Sequence, residues 1–208
     1  MVKRIIIIIG LFFLTLPAWA RDWEYYFEYK TKIPLNKKKK IFLNLKEETR
    51  YKDGVNYYRK SSFGLSKKLN SNWELALYYA FSGKRKDDWH ALHMFWPEVD
   101  YKNNLGKFSL ASSTKLERHC SKNTYRFREK LKFIFPLNKK LDFWVGDEGR
   151  IFSLFDNPYF GENEALAGFA FKLFKDFSLN VYYDLRRIKK EGNWEDTNCL
   201  RTVLNYTF

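Results

Sequence analysis

Apolar and polar side chains alternate along most of this chain, and this alternation restricts the possible folds more than any other feature. In residues 73–82 and 177–186, apolar or aromatic side chains occupy the odd-numbered positions, and polar or small ones largely occupy the even-numbered positions. A two-residue period is that of a β-strand, because successive side chains point to opposite faces of a sheet. The chain is therefore expected to be all-β. Eleven segments have this character: 23–33, 40–51, 56–69, 73–82, 90–102, 107–118, 124–135, 140–152, 165–173, 177–186 and 200–208.

The two faces of these segments differ from those of a soluble β-sandwich. Aromatic residues make up 20% of the chain and charged residues 30%, so that aromatic and charged side chains are interleaved. Trp and Tyr lie near the segment ends, as at Trp73 and Tyr206, which is typical of the aromatic girdles of membrane barrels. The opposing faces carry charges of both signs, which a narrow lumen can hold when the charges pair. We therefore expect an antiparallel transmembrane β-barrel.

The connections between segments alternate in length. Short turns at 70–72 and 175–176 contrast with longer polar loops at 82–89 and 155–163. Outer-membrane barrels have short periplasmic turns and longer extracellular loops, and single-chain bacterial barrels have even strand numbers that bring both termini to the periplasm. We therefore predict ten strands, with twelve as the alternative. Residues 23–33 are expected to be the odd segment, which would split, fold inward or pair outside the count.

The first twenty residues predict export. They begin with the basic Lys3 and Arg4, continue with an apolar stretch over 5–16, and end in Ala18-Trp19-Ala20. These are the three parts of a secretory signal peptide, and the twelve residues of the apolar stretch fall short of the roughly 20 that span a bilayer. We predict a signal peptide at 1–20, cleaved after residue 20, and a single barrel domain at 21–208. The expected location is the cell outer membrane, away from nucleic acid.

Charged residues within the segments predict the content of the lumen. An Arg or Lys that faced lipid at mid-depth would cost about 2–4 kcal/mol, so these charges are expected to face inward. Because isolated buried charges are costly, Glu and Arg of neighbouring strands should pair there, with surplus base available to an anion. The predicted network consists of Glu48, Arg50, Glu117, Arg126, Arg128, Glu148 and Arg150. The function that we predict is non-enzymatic: a structural role, or passage or binding of a small anionic solute.

Two other classes of function remain open. A barrel-embedded lipid hydrolase, such as a lipid A deacylase, would need a His with a Ser and an acidic partner, and His93 with Ser82 or Ser112 could supply them. Glu117 and Glu148 could form an acid/base pair, although each has an Arg close by in sequence. A soluble periplasmic binding module is the third class.

The two cysteines have no spacing typical of a metal site, so neither a metal nor another cofactor is expected. Cys120 and Cys199 could form a disulfide in an oxidising compartment only if their Cα atoms come within about 7 Å. That pairing is left open by the sequence.

The C-terminus and the basic clusters predict the partners. Leu204, Tyr206 and Phe208 end an apolar face, which resembles the terminal signal that barrel-assembly machinery recognises. Basic residues at 84–86 and 186–190 lie near predicted loops and could bridge lipopolysaccharide phosphates. The expected partners are outer-membrane lipid, lipopolysaccharide and the assembly machinery, and the barrel is expected to be a monomer.

A set of charged and aromatic positions also resembles a known family. They are Trp23, Lys46-Glu47-Glu48-Thr49-Arg50, Leu116-Glu117-Arg118, Tyr125-Arg126-Phe127-Arg128, Asp147-Glu148, Asn163 ahead of Ala167-Gly168-Phe169, and the terminal Phe208. Together with the signal peptide, they resemble the exported outer-membrane family grouped as domain of unknown function 2490. The resemblance extends over essentially the whole chain after residue 20. It implies a barrel of uncharacterised activity and supplies no catalytic residues.

Overall fold

Eleven β-strands close into one barrel, in which each strand pairs with its neighbours in sequence and β11 returns to β1. The computed structural model describes residues 23–36, 38, 40–85 and 89–208, with the backbone alone at 89 and 90. The strands are β1 (Trp23–Pro34), β2 (Ile41–Lys52), β3 (Val55–Lys68), β4 (Trp73–Arg85), β5 (Trp89–Asn104), β6 (Ser109–His119), β7 (Thr124–Asn138), β8 (Leu141–Phe152), β9 (Tyr159–Phe174), β10 (Phe177–Lys190) and β11 (Asn193–Thr207). The all-β barrel expected from the alternation is confirmed. The predicted signal peptide lies outside the described residues.

The strand number is eleven, between the ten that we predicted and the twelve kept as the alternative. All eleven predicted segments form strands, so leaving 23–33 out of the count was wrong. β1 pairs with β11 in parallel, from Trp23↔Asn198 to Lys32↔Thr207, whereas the sequential strand pairs are antiparallel. The even-number argument assumes antiparallel closure. A parallel closing pair allows an odd number and places the start of β1 and the end of β11 at opposite rims.

The two rims have connections of similar length. The connections at the N-terminal rim, where β1 starts, are two to six residues long, and those at the C-terminal rim, where β11 ends, are also two to six residues long. The predicted contrast between short turns and long loops is therefore wrong, because the strands continue into the segments assigned to loops. β5 and β9 each reach 16 residues. At 191–192, positive φ angles of 48° and 89° match the tight two-residue turn of a type I′ hairpin.

The inner wall carries two buried apolar clusters on roughly opposite sides of the barrel. On β4 and β5, the rings of Tyr78 and Trp96 stack with centroids 5.2 Å apart. On β8 to β11, Trp144 and Tyr182 pack with Leu166 and Val203. Glycines on the adjoining strands make room for the tyrosine rings: a Cβ added to Gly64 would lie 2.3 Å from Cδ1 of Tyr78, and one on Gly168 would lie 2.2 Å from Cβ of Tyr182. Charged side chains occupy the lumen between the clusters.

The outer wall is largely apolar and exposed. Along β4, Leu75, Leu77 and Phe81 are 43%, 48% and 49% exposed, whereas Ala80 and Ser82 between and beside them are fully buried. No helix in the described part of the chain has the length and apolar character needed to cross a membrane.

Candidate functional site

Glu148 on β8 is the hub of an ion-pair network that crosses the lumen. This residue is only 2% exposed, and it accepts hydrogen bonds from Arg128, Lys130 and Arg150. Oε1 lies 3.0 Å from Nε of Arg128 and 2.9 Å from Nε of Arg150, and Oε2 lies 3.2 Å from Nζ of Lys130. An ion removed from water costs several kcal/mol unless partners satisfy it, and three cations do so here.

Arg150 extends the network from this hub to β9. Its Nη1 and Nη2 each lie 2.6 Å from a carboxylate oxygen, the first of Glu162 and the second of Glu164. Arg201 on β11 donates to Glu164 over 2.8 Å and also pairs with Asp184 on β10. Both Glu164 and Asp184 have 0% exposure, so their charges depend on these arginines. The network therefore ties together four consecutive strands.

Glu117 on β6 and Glu48 on β2 hold the other part of the network. Nε of Arg126 lies 2.6 Å and Nη1 of Arg128 2.7 Å from oxygens of Glu117. Nε of Arg50 lies 2.5 Å from Oε1 of Glu48. The structure thus places all seven residues of the predicted lumenal network on the inner wall, each in an ion pair.

Other members of the network are absent from that predicted set, among them Glu24, Lys60, Lys130, Glu162, Glu164, Asp184, Arg186 and Arg201. The alternation could have found Glu162 and Glu164, since they share the parity of the buried Leu166 on β9. Glu24 pairs with Arg186 of β10, a contact between opposite ends of the sequence. That contact forms only because β1 closes onto β11, which no local pattern reveals.

The network separates two cavities. The larger one, which we call the vestibule, has a volume of about 620 Å³ and reaches Ser71, Asn72 and Lys102 near the C-terminal rim. The smaller one has a volume of about 180 Å³ and includes Leu92 and Ile188 toward the N-terminal rim. Six residues line both cavities and form the partition between them: Arg50, Lys60, Trp96, Glu117, Arg128 and Arg150.

The vestibule wall is basic, with thirteen Lys or Arg and seven Glu or Asp side chains among its described lining residues. Most lysines there have carboxylate partners, as in Lys30 with Glu28, Lys32 with Glu74, Lys46 and Lys115 with Glu98, and Lys130 with Glu148. Lys132 differs, because its Nζ lies over the ring of Trp144, 3.9 Å from the centroid, and it forms no ion pair within the described residues. Lys68 and Lys102 also form no ion pair within the described residues, but both are exposed near the C-terminal rim, whereas Lys132 is half-buried. Among the described lining residues, Lys132 is therefore the free cation inside the vestibule wall.

The structure does not assemble the hydrolase constellation considered from the sequence. His93 is exposed, with Nδ1 hydrogen-bonded to the Tyr79 hydroxyl, whereas Ser82 of the neighbouring strand is buried on the inner wall. Ser112 donates over 2.6 Å to Glu129. The side chains therefore lie on different faces or bind other partners.

The cysteines are not paired. Cys120 is exposed beside the N-terminal rim, and Cys199 is buried on β11, where Nη2 of Arg186 lies 3.0 Å from its sulfur. Within the described ranges, no three His, Cys, Asp or Glu side chains come together as a metal site would require.

Among the described residues, Glu47, Glu129 and Asp147 lie on the outer wall and accept hydrogen bonds from neutral donors across a strand pair. Glu129 accepts bonds from Ser112 and Thr114. Asp147 binds the amide of Asn163, and Glu47 accepts a bond from Ser61, in the same manner. These neutral donors satisfy acidic groups that face away from the lumen.

The C-terminus is fixed at the closing pair of strands. The backbone N–H of Phe208 donates to the carbonyl of Lys32 over 3.0 Å, and its ring lies 4.6 Å from that of Tyr206. Leu204 and Tyr206 alternate with the buried Val203 and so lie on the outer wall.

Arg186 is the first residue of the basic cluster predicted at 186–190. Its side chain points inward and pairs with Glu24, so it cannot bridge lipopolysaccharide phosphates.

Comparison with known proteins adds the family to this description. No curated protein matches the chain. The sequence profile of DUF2490, described as a protein of unknown function, matches residues 23–197, from the first residue of β1 into β11. The matched region contains all seven residues of the predicted lumenal network, the hub Glu148 among them, and the match confirms the family resemblance seen in the sequence. The chain therefore belongs to the DUF2490 family of proteins of unknown function.

Proposed function

We propose that this protein is a non-enzymatic outer-membrane β-barrel that binds a small anionic solute in its vestibule. The observation that carries the proposal is that apolar side chains cover the outer wall of the barrel, whereas charged side chains are buried inside it. Large apolar side chains such as Leu65 and Leu77 are 54% and 48% exposed, while Glu148 and Arg150 are buried at 2% and 5%. Extensive exposed apolar surface indicates contact with a membrane or partner.

The strand lengths fit a bilayer. The strands have 11 to 16 residues, which at about 3.3 Å per residue and a tilt of about 35–45° give roughly 26–43 Å along the barrel axis. This exceeds the apolar band of about 25 Å on known outer-membrane barrels. The barrel is tall enough to cross the membrane with both rims in water.

Aromatic pairs on the strands near both rims support the same placement. Trp73 and Tyr101 lie 4.6 Å apart near the C-terminal rim, and Trp23 and Tyr183 lie 5.7 Å apart toward the N-terminal rim. Such rings favour the boundary between lipid and water. We assign the C-terminal rim to the periplasm, where Phe208 would have been read by assembly machinery.

The vestibule favours binding over free passage. Its basic lining attracts anions, but the partition that contains Arg128 and Arg150 stands between it and the smaller cavity. A solute would enter from the C-terminal rim and stop at this layer. At the opposite rim, Lys84 and Arg85 could contact lipopolysaccharide phosphates, since the described residues offer them no ion pair.

Membrane location is tested by fractionation. The full-length protein should be found with outer membranes, migrate differently on gels before and after heating, and resist extraction at high pH. Recovery in the soluble periplasmic fraction would contradict the proposal and favour a binding module.

Closure of the lumen is tested by recording from purified barrels in planar bilayers. We expect little steady conductance in potassium chloride and a larger one when Arg128 and Arg150 are both replaced by Ala, provided that the variant still folds. A large, stable conductance of the unmodified protein would show an open pore and refute the binding interpretation.

A further inference from the structure

Lys132 is held in the vestibule wall without a carboxylate partner. Its ammonium group lies 3.9 Å from the Trp144 ring and 5.9 Å from the Tyr182 ring. A cation–π contact is worth about 0.5–2 kcal/mol, whereas removing an ion from water costs several kcal/mol. In the described chain nothing of opposite charge pairs with this cation.

Neighbouring lysines add to the positive charge at this place. Lys130 shares the inward face of β7 with Lys132, and the ammonium groups of both lie 5.9 Å from the Tyr182 ring. Lys30 lines the same cavity. Lys130 and Lys30 each have one carboxylate partner, Glu148 and Glu28, whereas Lys132 has none among the described residues. The three ammonium groups therefore carry an excess of positive charge, which a bound anion would neutralise.

We infer that Lys132, Lys130 and Lys30 form a site for a phosphate-type anion with at least two negative charges. The inference rests on the proposed function and names its ligand class. An ammonium group offers three donors and binds phosphate as a point charge, and binding between three of them favours a multivalent anion. Arg128 and Arg150 each donate to two or more buried carboxylates. Lys30 and Lys130 each contact one carboxylate, and Lys132 contacts none among the described residues. The lysines therefore keep more donors free for the ligand.

The size of the vestibule permits two sources for the phosphate. A volume of about 620 Å³ lies within the range of about 300–1,000 Å³ for small-molecule sites, so that free phosphate species and a phosphorylated lipid headgroup both fit. Asn180 and Tyr182 line the same cavity and can donate further hydrogen bonds.

The test uses the purified full barrel in a neutral detergent, with pyrophosphate, citrate and a short-chain phosphatidic acid as probes. Titration calorimetry gives affinities, and Trp144 next to the site gives a fluorescence signal. We expect Lys132→Gln to weaken pyrophosphate binding about tenfold or more, the loss typical of a charge-assisted contact. Lys67→Gln, at an exposed lysine on β3 with outward parity, should change it less than about twofold.

Thermal unfolding provides a second measurement that also shows whether the variant folds. Without ligand, Lys132→Gln should unfold at a higher temperature than the unmodified protein, because a repelled charge is removed. Pyrophosphate should raise the unfolding temperature of the unmodified protein more than that of the variant, since a ligand stabilises only the fold that binds it.

The outcomes separate this inference from the proposed function. Equal pyrophosphate affinity in the variant and the unmodified protein would overturn the lysine site. Citrate binding as tight as pyrophosphate would overturn the phosphate class but leave anion binding intact. Failure of all three probes to bind would overturn both. Tighter binding of phosphatidic acid would identify a lipid headgroup as the source of the phosphate, and tighter binding of pyrophosphate would identify a free phosphate species. Either result supports the site.

Discussion

Replacing Glu148 by Gln should destabilise the barrel strongly, because this residue neutralises three cations at once. The substitution keeps the size of the side chain but removes its charge. Arg128 retains Glu117, and Arg150 retains Glu162, whereas Lys130 keeps no carboxylate among the described residues. Breaking a buried ion pair by removing one partner costs about 3–5 kcal/mol. Because two of the three cations keep another partner, we expect the lower end, about 3 kcal/mol.

The assay is reversible urea unfolding of the full-length protein in detergent micelles, followed by Trp fluorescence and by the heat-dependent shift on gels. A loss of about 3 kcal/mol lowers the folding equilibrium constant by about 100-fold. The matched control is Glu195→Gln, whose pair with Lys190 is more than half exposed on both sides and should contribute less than about 1 kcal/mol. If Glu148→Gln lost no more than this control, the lumenal network would not be a source of stability.

Three further substitutions test other parts of the structure. Glu129→Leu should stabilise the barrel in lipid by about 1 kcal/mol or more, because it removes an acidic group that faces lipid. Such a group costs somewhat less than the about 2–4 kcal/mol of a basic one. A loss of stability in vesicles would indicate that this wall faces water. Gly168→Val should destabilise by about 3 kcal/mol in urea unfolding, since its Cβ would lie 2.2 Å from Cβ of Tyr182, and Ala165→Val on the outer wall is the control. Deletion of Phe208 should lower the amount of heat-modifiable protein in outer membranes, whereas Phe174→Ala, at another exposed phenylalanine of the same rim, should not; unchanged insertion would remove the role of the terminal residue.

The sequence alone determined the inner and outer walls, because the two-residue period of a strand is local. Each charged residue predicted to face the lumen lies two positions along its strand from another small or polar residue, as Arg150 lies two positions from Glu148. Residues two positions apart in a strand point to the same face. For the same reason, all eleven strand segments could be read from the chain. The ends of the strands could not be read from the sequence, because a strand continues as long as the adjacent strand offers backbone hydrogen-bond partners. β9, with 16 residues, pairs with β8 from Tyr159 to Phe171.

Only the tertiary structure decided how the barrel closes and which charges meet. The parallel pairing of β1 with β11 depends on the stagger accumulated around the whole barrel, which no single segment encodes. Distances across the lumen follow from that closure, so the pairing of Arg186 with Glu24, 162 positions apart in the chain, could not be foreseen. The structure also shows that Lys132 lies over Trp144 without a carboxylate partner among the described residues, and that Cys120 and Cys199 are not paired. The odd or even position of a residue in its strand determines whether its side chain lies on the inner or the outer wall. The size and shear of the closed barrel determine which other side chains it contacts.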